Sequence, residues 1–276
     1  MTATAHANGA GAFASAASLF EARDVVVDFH QRGHANRALD KVSLTVAAGE
    51  TVGLIGESGS GKTTLSRALL GLVEPTAGQV LYEGRDLYAM PPRARYRALG
   101  RDTALVFQDP RSSLNPRLTV GAVVRDPLRV QGIGSRQEQQ HKVLELLGSV
   151  GLPPQLAGRP VRALSGGQLQ RVALARALAV EPRAIIADEP TSALDVSVQA
   201  QILNLIKEIR RRRHLALLVV SHDMRVIRFL AHRTAVMLRG QIVEVGPTEQ
   251  IYKDPQHSYT KSLLAAAPRL RRAPAG

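Results

Sequence analysis

The stretch Gly56-Glu57-Ser58-Gly59-Ser60-Gly61-Lys62-Thr63-Thr64 constrains the chain most, because it joins an apolar run, Thr51 to Ile55, to a helical pattern, Leu65 to Leu70. Its G-x-x-x-x-G-K-[ST] form predicts a phosphate-binding loop, in which glycines let successive backbone N–H groups approach an anion closely. Lys62 is expected to reach the β- and γ-phosphates of a nucleotide and Thr63 to place its hydroxyl on Mg²⁺. The N-terminus of the following helix adds partial positive charge at the same point. Gly56, Ser58, Gly59, Ser60, Gly61, Lys62, Thr63 and Thr64 are therefore the first expected nucleotide contacts.

Three further apolar runs end in polar side chains. Ala104 to Phe107 stops at Gln108, with Asp109-Pro110 blocking any continuation. A Gln there can offer its carbonyl oxygen to Mg²⁺ and its amide to an attacking water, or be an ordinary loop residue. Ala184 to Ala187 delivers Asp188 and Glu189, and neighbouring strand residues point to opposite sides, so the two carboxylates take different tasks. Asp188 is the candidate for holding Mg²⁺, and Glu189 for orienting or deprotonating the water that attacks a γ-phosphate. Leu215 to Val220 ends at Ser221-His222-Asp223, where a lone His is usually structural but here repeats the same arrangement. Polar groups thus collect at one sheet edge, where ligands bind in open α/β sheets.

Leu164-Ser165-Gly166-Gly167-Gln168 opens a helical run from Leu169 to Val180, in which Val172, Leu174, Ala175 and Leu178 share a face. Ser165 reads as an N-cap, and the two glycines free backbone amides at the helix start, a second phosphate-binding device. Upstream, Asp24 to Phe29 and Val42 to Val46 read as antiparallel strands separated by a polar loop. Phe29 ends the first of them, as a core residue or as a platform for a nucleotide base. Helical spacing from Thr119 to Val130 and from Arg136 to Val150 indicates an inserted helical subdomain at about residues 109–165. Asp195 precedes a helix expected over Val198 to Arg210.

With 276 residues the chain has ample length to bury a core. It contains no Cys, which excludes disulfides and thiolate metal sites. No apolar run approaches the eighteen or so residues of a membrane span. Residues 1–18, rich in Ala, Gly and Ser and without Lys or Arg, lack the charged start of a signal peptide and read as a flexible tail. The net charge of +13 is concentrated in Arg93, Arg95, Arg97 and Arg101, in Arg210 to Arg213, and in Arg269, Arg271 and Arg272. Solvated faces, an anionic membrane surface and nucleic acid all accommodate such clusters, but no aromatic stacking motif accompanies them, which argues against nucleic acid.

In order and spacing, these motifs resemble those of ABC transporter ATPase subunits, and Leu164 to Gln168 is the most diagnostic piece. The resemblance implies an α/β fold with a P-loop NTPase (RecA-like) core, an N-terminal antiparallel β subdomain, an inserted α-helical subdomain and a short C-terminal extension. It also implies ATP and Mg²⁺ as ligands, with two ATP molecules sandwiched between two ATPase subunits. Ser165, Gly166, Gly167 and Gln168 would contact the γ-phosphate held by the partner subunit's P-loop, with Asp195 at the seam. By the same resemblance Glu189 is the catalytic carboxylate, His222 the switch histidine and Phe29 the adenine-stacking residue.

Phe107 to Pro110 continuing to Ser113-Leu114-Asn115-Pro116-Arg117, Asp195 to Ala200, and the tail Asp254 to Lys261 are similar to dipeptide/oligopeptide/nickel importer ATPases. That similarity places an ATPase domain at 19–245 and an oligopeptide-transporter-type extension at 246–276. It implies a second ATPase subunit, a paralogue or an identical chain, with two permeases and a solute-binding protein, at the cytoplasmic face of the membrane. Asn115-Pro116-Arg117 and the short tail lean towards the second of the two paired ATPases. Without Cys, the iron–sulfur site of some relatives is ruled out. The cargo would be a peptide, nickel or another small solute; a soluble ABC ATPase acting on nucleic acid is the more distant alternative.

Overall fold

The computed structural model describes residues 18–31 and 34–266. The expected N-terminal tail, apart from Ser18, and the end of the C-terminal extension lie outside the described residues. Strands β1 (Ser18–Gln31) and β2 (His34–Ala47) pair antiparallel, and β4 (Ala77–Tyr82) and β5 (Arg85–Asp86) complete a four-stranded sheet in the order β2-β1-β4-β5. Between β2 and β4 lie β3 (Thr51–Ile55) and helix α1 (Lys62–Leu69). The polar loop expected after Phe29 is largely strand instead. Asp28 pairs with Arg37 and Phe29 with Asn36, and the Arg37 guanidinium meets Asp28 Oδ1 at 2.9 Å. Polarity there marks two solvent-facing strands whose backbone groups satisfy one another.

The second sheet has six strands in the order β10-β9-β3-β8-β7-β6, formed by β3 with β6 (Thr103–Val106), β7 (Ala184–Asp188), β8 (Ala216–Ser221), β9 (Arg233–Leu238) and β10 (Gln241–Pro247). From β6 to β9 the pairing is parallel, and only β10 runs antiparallel. Both faces of the central strands are covered, so β3, β7 and β8 are largely apolar. Ile185 and Ala187 of β7 and Leu217 and Val219 of β8 join one core. Ala184, Ile186, Ala216, Leu218 and Val220 join the other. This alternation directs Asp188, two residues beyond Ile186, to the α1 face.

The first core is shared with α4 (Val120–Gln131), α5 (Arg136–Ser149) and α6 (Gly166–Leu178), which follow the single turn α3 (Pro110–Ser113). The face expected on α6 is buried, and so are Leu169, Ala173 and Ala177, because α6 is enclosed between the sheet and its sister helices. The second core joins the antiparallel sheet through Phe20, Val25 and Val42 and α1 through Leu65 and Leu69. Among the Arg clusters, Arg93 to Arg101 lies on α2 (Pro92–Asp102) and is not a uniformly solvated face. Arg95 is buried, stacked 4.5 Å from the Tyr88 ring centroid. Helices α7 (Val196–Arg213), α8 (Met224–Leu230), α9 (Thr248–Lys253) and α10 (Ser258–Ala266) complete the described residues. Among the described residues no helix is long and apolar enough to cross a membrane.

Candidate functional site

The loop between β3 and α1 closes on its own lysine. Lys62 is only 7% exposed, and its Nζ donates to Gly56 O at 2.8 Å, Glu57 O at 2.6 Å and Ser60 Oγ at 3.2 Å. Burial draws its ammonium below the ordinary Lys range, while the charges of Glu189, Asp188 and Glu57 oppose that shift. Gly61 begins the helix at φ 106, and a Cβ there would lie 2.5 Å from Ala38 O, so only glycine lets β2 approach the loop this closely. Helix α1 has no side-chain cap, which leaves its first-turn N–H donors for an anion. Gly56, Ser58, Gly59 and Ser60 form the loop, and Thr63 and Thr64 stand in the first turn of α1. A buried ammonium held only by neutral oxygens, beside uncapped donors, suits a polyphosphate.

The two carboxylates expected at the end of β7 part, but only Asp188 does so by strand alternation, as the last residue of β7, while Glu189 lies beyond the strand. Thr63 Oγ1 donates to Asp188 Oδ2 at 3.1 Å, bringing together two oxygens from the motifs expected to hold Mg²⁺. This sparse donor set fits an ion that keeps several waters and takes further ligands from phosphates. Burial pushes the Asp188 carboxyl above the usual Asp range; the nearby Glu189 charge adds to this and the Thr63 hydrogen bond opposes it. Glu189 adopts φ 48, a left-handed conformation that a non-glycine residue seldom takes. Its backbone N–H donates to Val220 O at 2.8 Å. Its carboxylate spans two strand ends, receiving Gln108 Nε2 at 3.3 Å on Oε2 and lying 2.8 Å from His222 Nδ1 through Oε1. Gln108, Asp188, Glu189 and His222 thus gather at the edge that carries the Lys62 loop.

The Ser165 turn stands apart from the Lys62 loop, although Gly166 lines a small cleft together with Gln108. Ser165 caps α6 in a reciprocal box, its Oγ accepting from Gln168 N at 3.3 Å and its N–H donating to Gln168 Oε1 at 3.0 Å. The Gln168 side chain is thereby committed to the cap. Gly166 and Gly167 stand against the start of α7: a Cβ on Gly167 would lie 2.6 Å from Val198 Cγ1. Asp195 caps α7, accepting from Val198 N at 2.9 Å and Ser197 Oγ at 2.8 Å, and these bonds hold its carboxyl below the ordinary range. Among the described residues no hydrogen bond or ion pair joins residues 56–64 to residues 165–168. Phe29 is exposed on the β1–β2 hairpin, two residue pairs beyond the Val27–Leu39 pair.

Sequence reasoning missed Glu57 and Tyr259. Glu57 supplies a carbonyl to Lys62, and its N–H donates to the Tyr259 hydroxyl at 3.0 Å. The tail around Tyr259 stood out as a motif, but no spacing rule connects it to a loop 202 residues away.

A family model described as ABC transporter matches residues 39–192, and one described as oligopeptide/dipeptide transporter, C-terminal region, matches residues 243–275. A putative peptide import ATP-binding protein of Brucella ovis is 44% identical over 250 residues, covering 91% of this chain and 78% of that one. The glutathione import ATP-binding protein GsiA of Pectobacterium atrosepticum is 49% identical over 231 residues, covering 84% of this chain and 37% of that longer one. Among solved structures, the dimeric post-hydrolysis state of the ATP-binding cassette MJ0796, bound to ADP and Pi, superposes with a TM-score of 0.76 at 32% identity. That match covers 83% of this chain and 98% of the other. The chain therefore belongs to the ABC transporter family, as an ATP-binding subunit that carries the oligopeptide/dipeptide C-terminal region.

Proposed function

We propose that the chain hydrolyses ATP to energise import of a small solute of the peptide class through a membrane permease. The observation that carries this reading is the Glu189 carboxylate, held between Gln108 and His222 at the edge that also presents Lys62 and the Thr63–Asp188 pair. Peptide as cargo is supported by the C-terminal region and by relatives named for peptide and glutathione import.

In this mechanism the uncapped α1 turn and the loop amides receive the phosphates, and Lys62 exchanges part of its loop contacts for phosphate oxygens. Thr63, Asp188 and the carbonyl oxygen of Gln108 would hold Mg²⁺, which when bound neutralises phosphate charge as a Lewis acid. Glu189 orients the attacking water and accepts its proton, while Gln108 and His222 fix the carboxylate's direction. Phe29 supports the adenine. The Ser165 turn and Asp195 face the nucleotide of a second ATPase subunit, so that ATP closes the pair and hydrolysis reopens it. The separation of residues 56–64 from 165–168 supports completion of the site between subunits, as does the dimeric cassette among the structural neighbours.

The helices packed at residues 109–165 form the subdomain that meets the permease beside exposed Phe107. With a solute-binding protein on the far side, the subunit sits peripherally at the cytoplasmic face. Purified chain should hydrolyse Mg-ATP, and Lys62→Ala should abolish turnover; deletion of the gene should abolish uptake of peptides. Peptide uptake unaffected by the deletion would discard the cargo assignment, and nickel uptake would then be measured.

A further inference from the structure

We propose that Tyr259, on the C-terminal helix α10, is a positioning residue for the nucleotide loop: it fixes the Gly56–Glu57 peptide and ties the C-terminal extension to ATP binding. The inference rests on the Lys62 loop being the ATP seat. One peptide unit of this loop is gripped on both edges. The carbonyl of Gly56 accepts from Lys62 Nζ at 2.8 Å, and the N–H of the same unit, on Glu57, donates to the Tyr259 hydroxyl at 3.0 Å. In a trans peptide these groups point in opposite directions, so rotation of the unit would break both contacts at once. The next carbonyl, of Glu57, also holds Lys62 and accepts from Ser60 N at 3.2 Å. Tyr259 is therefore one hydrogen bond from the peptide that orients the lysine.

Helix α10 has the rigidity for this task. Glu244 on β10 accepts the backbone N–H groups of Gln256 at 2.7 Å and His257 at 3.1 Å, and His257 Nδ1 accepts that of Tyr259 at 3.1 Å. Donors at and before the helix start, which would otherwise lack partners, are thereby satisfied and the helix is tied to the main sheet. Thr260 is fully buried, and the Tyr259 ring packs with Leu263 and Leu264 on the core under the helix. Burial pushes the Tyr259 phenol above its ordinary range, so it remains a neutral hydroxyl beside the loop and adds no charge to repel an anion. A hydroxyl set on a packed helix holds the loop in one shape before nucleotide arrives, sparing the ordering that binding would otherwise have to supply.

Linkage makes the effect reciprocal. If α10 docking favours the binding shape of the loop, nucleotide must favour α10 docking by the same factor. Tyr259→Phe keeps the ring and removes only the acceptor. The full chain carrying it should bind a non-hydrolysable ATP analogue about fivefold more weakly than wild type, the equivalent of one neutral hydrogen bond. In wild type, amide hydrogen exchange across residues 258–266 should slow when the analogue binds, and in Tyr259→Phe that slowing should disappear. A purely structural ring would leave both measurements at wild-type values, with only Tyr259→Ala destabilising the fold, and that result overturns the proposal. Lys62→Ala serves as the control for the underlying reading. If wild type and Lys62→Ala bind the analogue equally, the loop is not the ATP seat and both ideas fall; if Lys62→Ala weakens binding and Tyr259→Phe does not, only the present one does.

Discussion

Glu189 Oε1 and His222 Nδ1 lie 2.8 Å apart although the residues are 33 positions distant in sequence, because their strands are neighbours and end together. Asp188 of β7 pairs in register with Val220 of β8, and Glu189 N–H donates to the carbonyl of that same Val220. The left-handed backbone at Glu189 turns its carboxylate along the sheet edge towards His222 and Gln108, away from Thr63, which Asp188 faces. A strained conformation over-determined by three hydrogen bonds is a preorganised one.

Glu189→Gln preserves size and can still be held by its neighbours, but it cannot accept a proton. Hydrolysis should fall by about 10²–10³-fold, the scale of a lost general base, while ATP affinity changes little. His222→Ala leaves the carboxylate held by Gln108 alone and should cost about tenfold to a hundredfold through misorientation. Single-turnover hydrolysis and equilibrium binding on the same preparations check both; near-normal turnover in Glu189→Gln would remove that residue from its assigned place.

Asp188 gives a prediction of opposite sign for stability and activity. Its carboxyl is pushed up chiefly by burial and further by the charge of Glu189, so the ionised form is carried at a cost in the nucleotide-free fold. A carboxylate raised in this way favours folding below its unfolded value, near 3.8, and that contribution is lost as pH rises through the folded value. At neutral pH, Asp188→Asn should therefore leave the melting temperature of the nucleotide-free chain unchanged or higher. The same substitution should abolish Mg²⁺-dependent hydrolysis and the extra stabilisation that Mg²⁺ adds to ATP in a thermal melt. A marked loss of stability without nucleotide would contradict this account.

The parts of the site legible in the sequence are those whose chemistry follows from local order. A strand, a glycine-rich turn and a helix start are contiguous, and alternation along β7 already sets Asp188 towards α1. Parity alone did not foretell the positive φ at Glu189, which depends on the neighbouring strand's carbonyl. Nor did His30, Gln31, Asn36 and Arg37 disclose that they were paired strand, because Asp28 and Arg37 find each other only once the hairpin closes. Arg95 reads as one more surface charge until Tyr88 folds beneath it. Each miss is a contact made only on folding by a group the sequence presents as free.

His232 supplies a pH signature outside the nucleotide site. Its Nδ1 accepts the backbone N–H of Thr51 at 3.0 Å, and the Arg210 guanidinium lies 2.7 Å from Nε2. Burial first, then the Arg210 charge, draws the imidazole below the ordinary value of 6.5, with Glu50 opposing. A depressed value means that the neutral ring's contribution is intact above 6.5 and is lost as pH falls through the lower folded value. The urea midpoint should therefore drop between pH 7.5 and pH 5.5. In His232→Asn, which keeps an acceptor for Thr51 without a titrating ring, part of that drop should vanish. Identical pH slopes in the two proteins would show that the ring titrates alike folded and unfolded.

The close approach of α6 and α7 rests on Gly167, and here two effects of similar size oppose each other. Alanine is the better helix former, by at most about 1 kcal/mol at this first-turn position, which would make Gly167→Ala stabilising. Its Cβ, however, would lie 2.6 Å from Val198 Cγ1. Val198 is β-branched and sits in the first turn of a helix, where one χ1 rotamer is strongly preferred, so the methyl cannot swing aside cheaply. Overpacking of this kind typically costs about 1–3 kcal/mol, and the clash should win: Gly167→Ala alone is expected to lower the unfolding free energy by roughly 1 kcal/mol. In a Val198→Ala background the obstacle is gone and only the propensity remains, so the same change should become neutral or mildly stabilising. Chemical denaturation of the four proteins of this cycle measures the coupling directly. Additive effects would mean that α6 and α7 shift apart freely, and then the Ser165 turn is not braced by α7 in the way the contact implies.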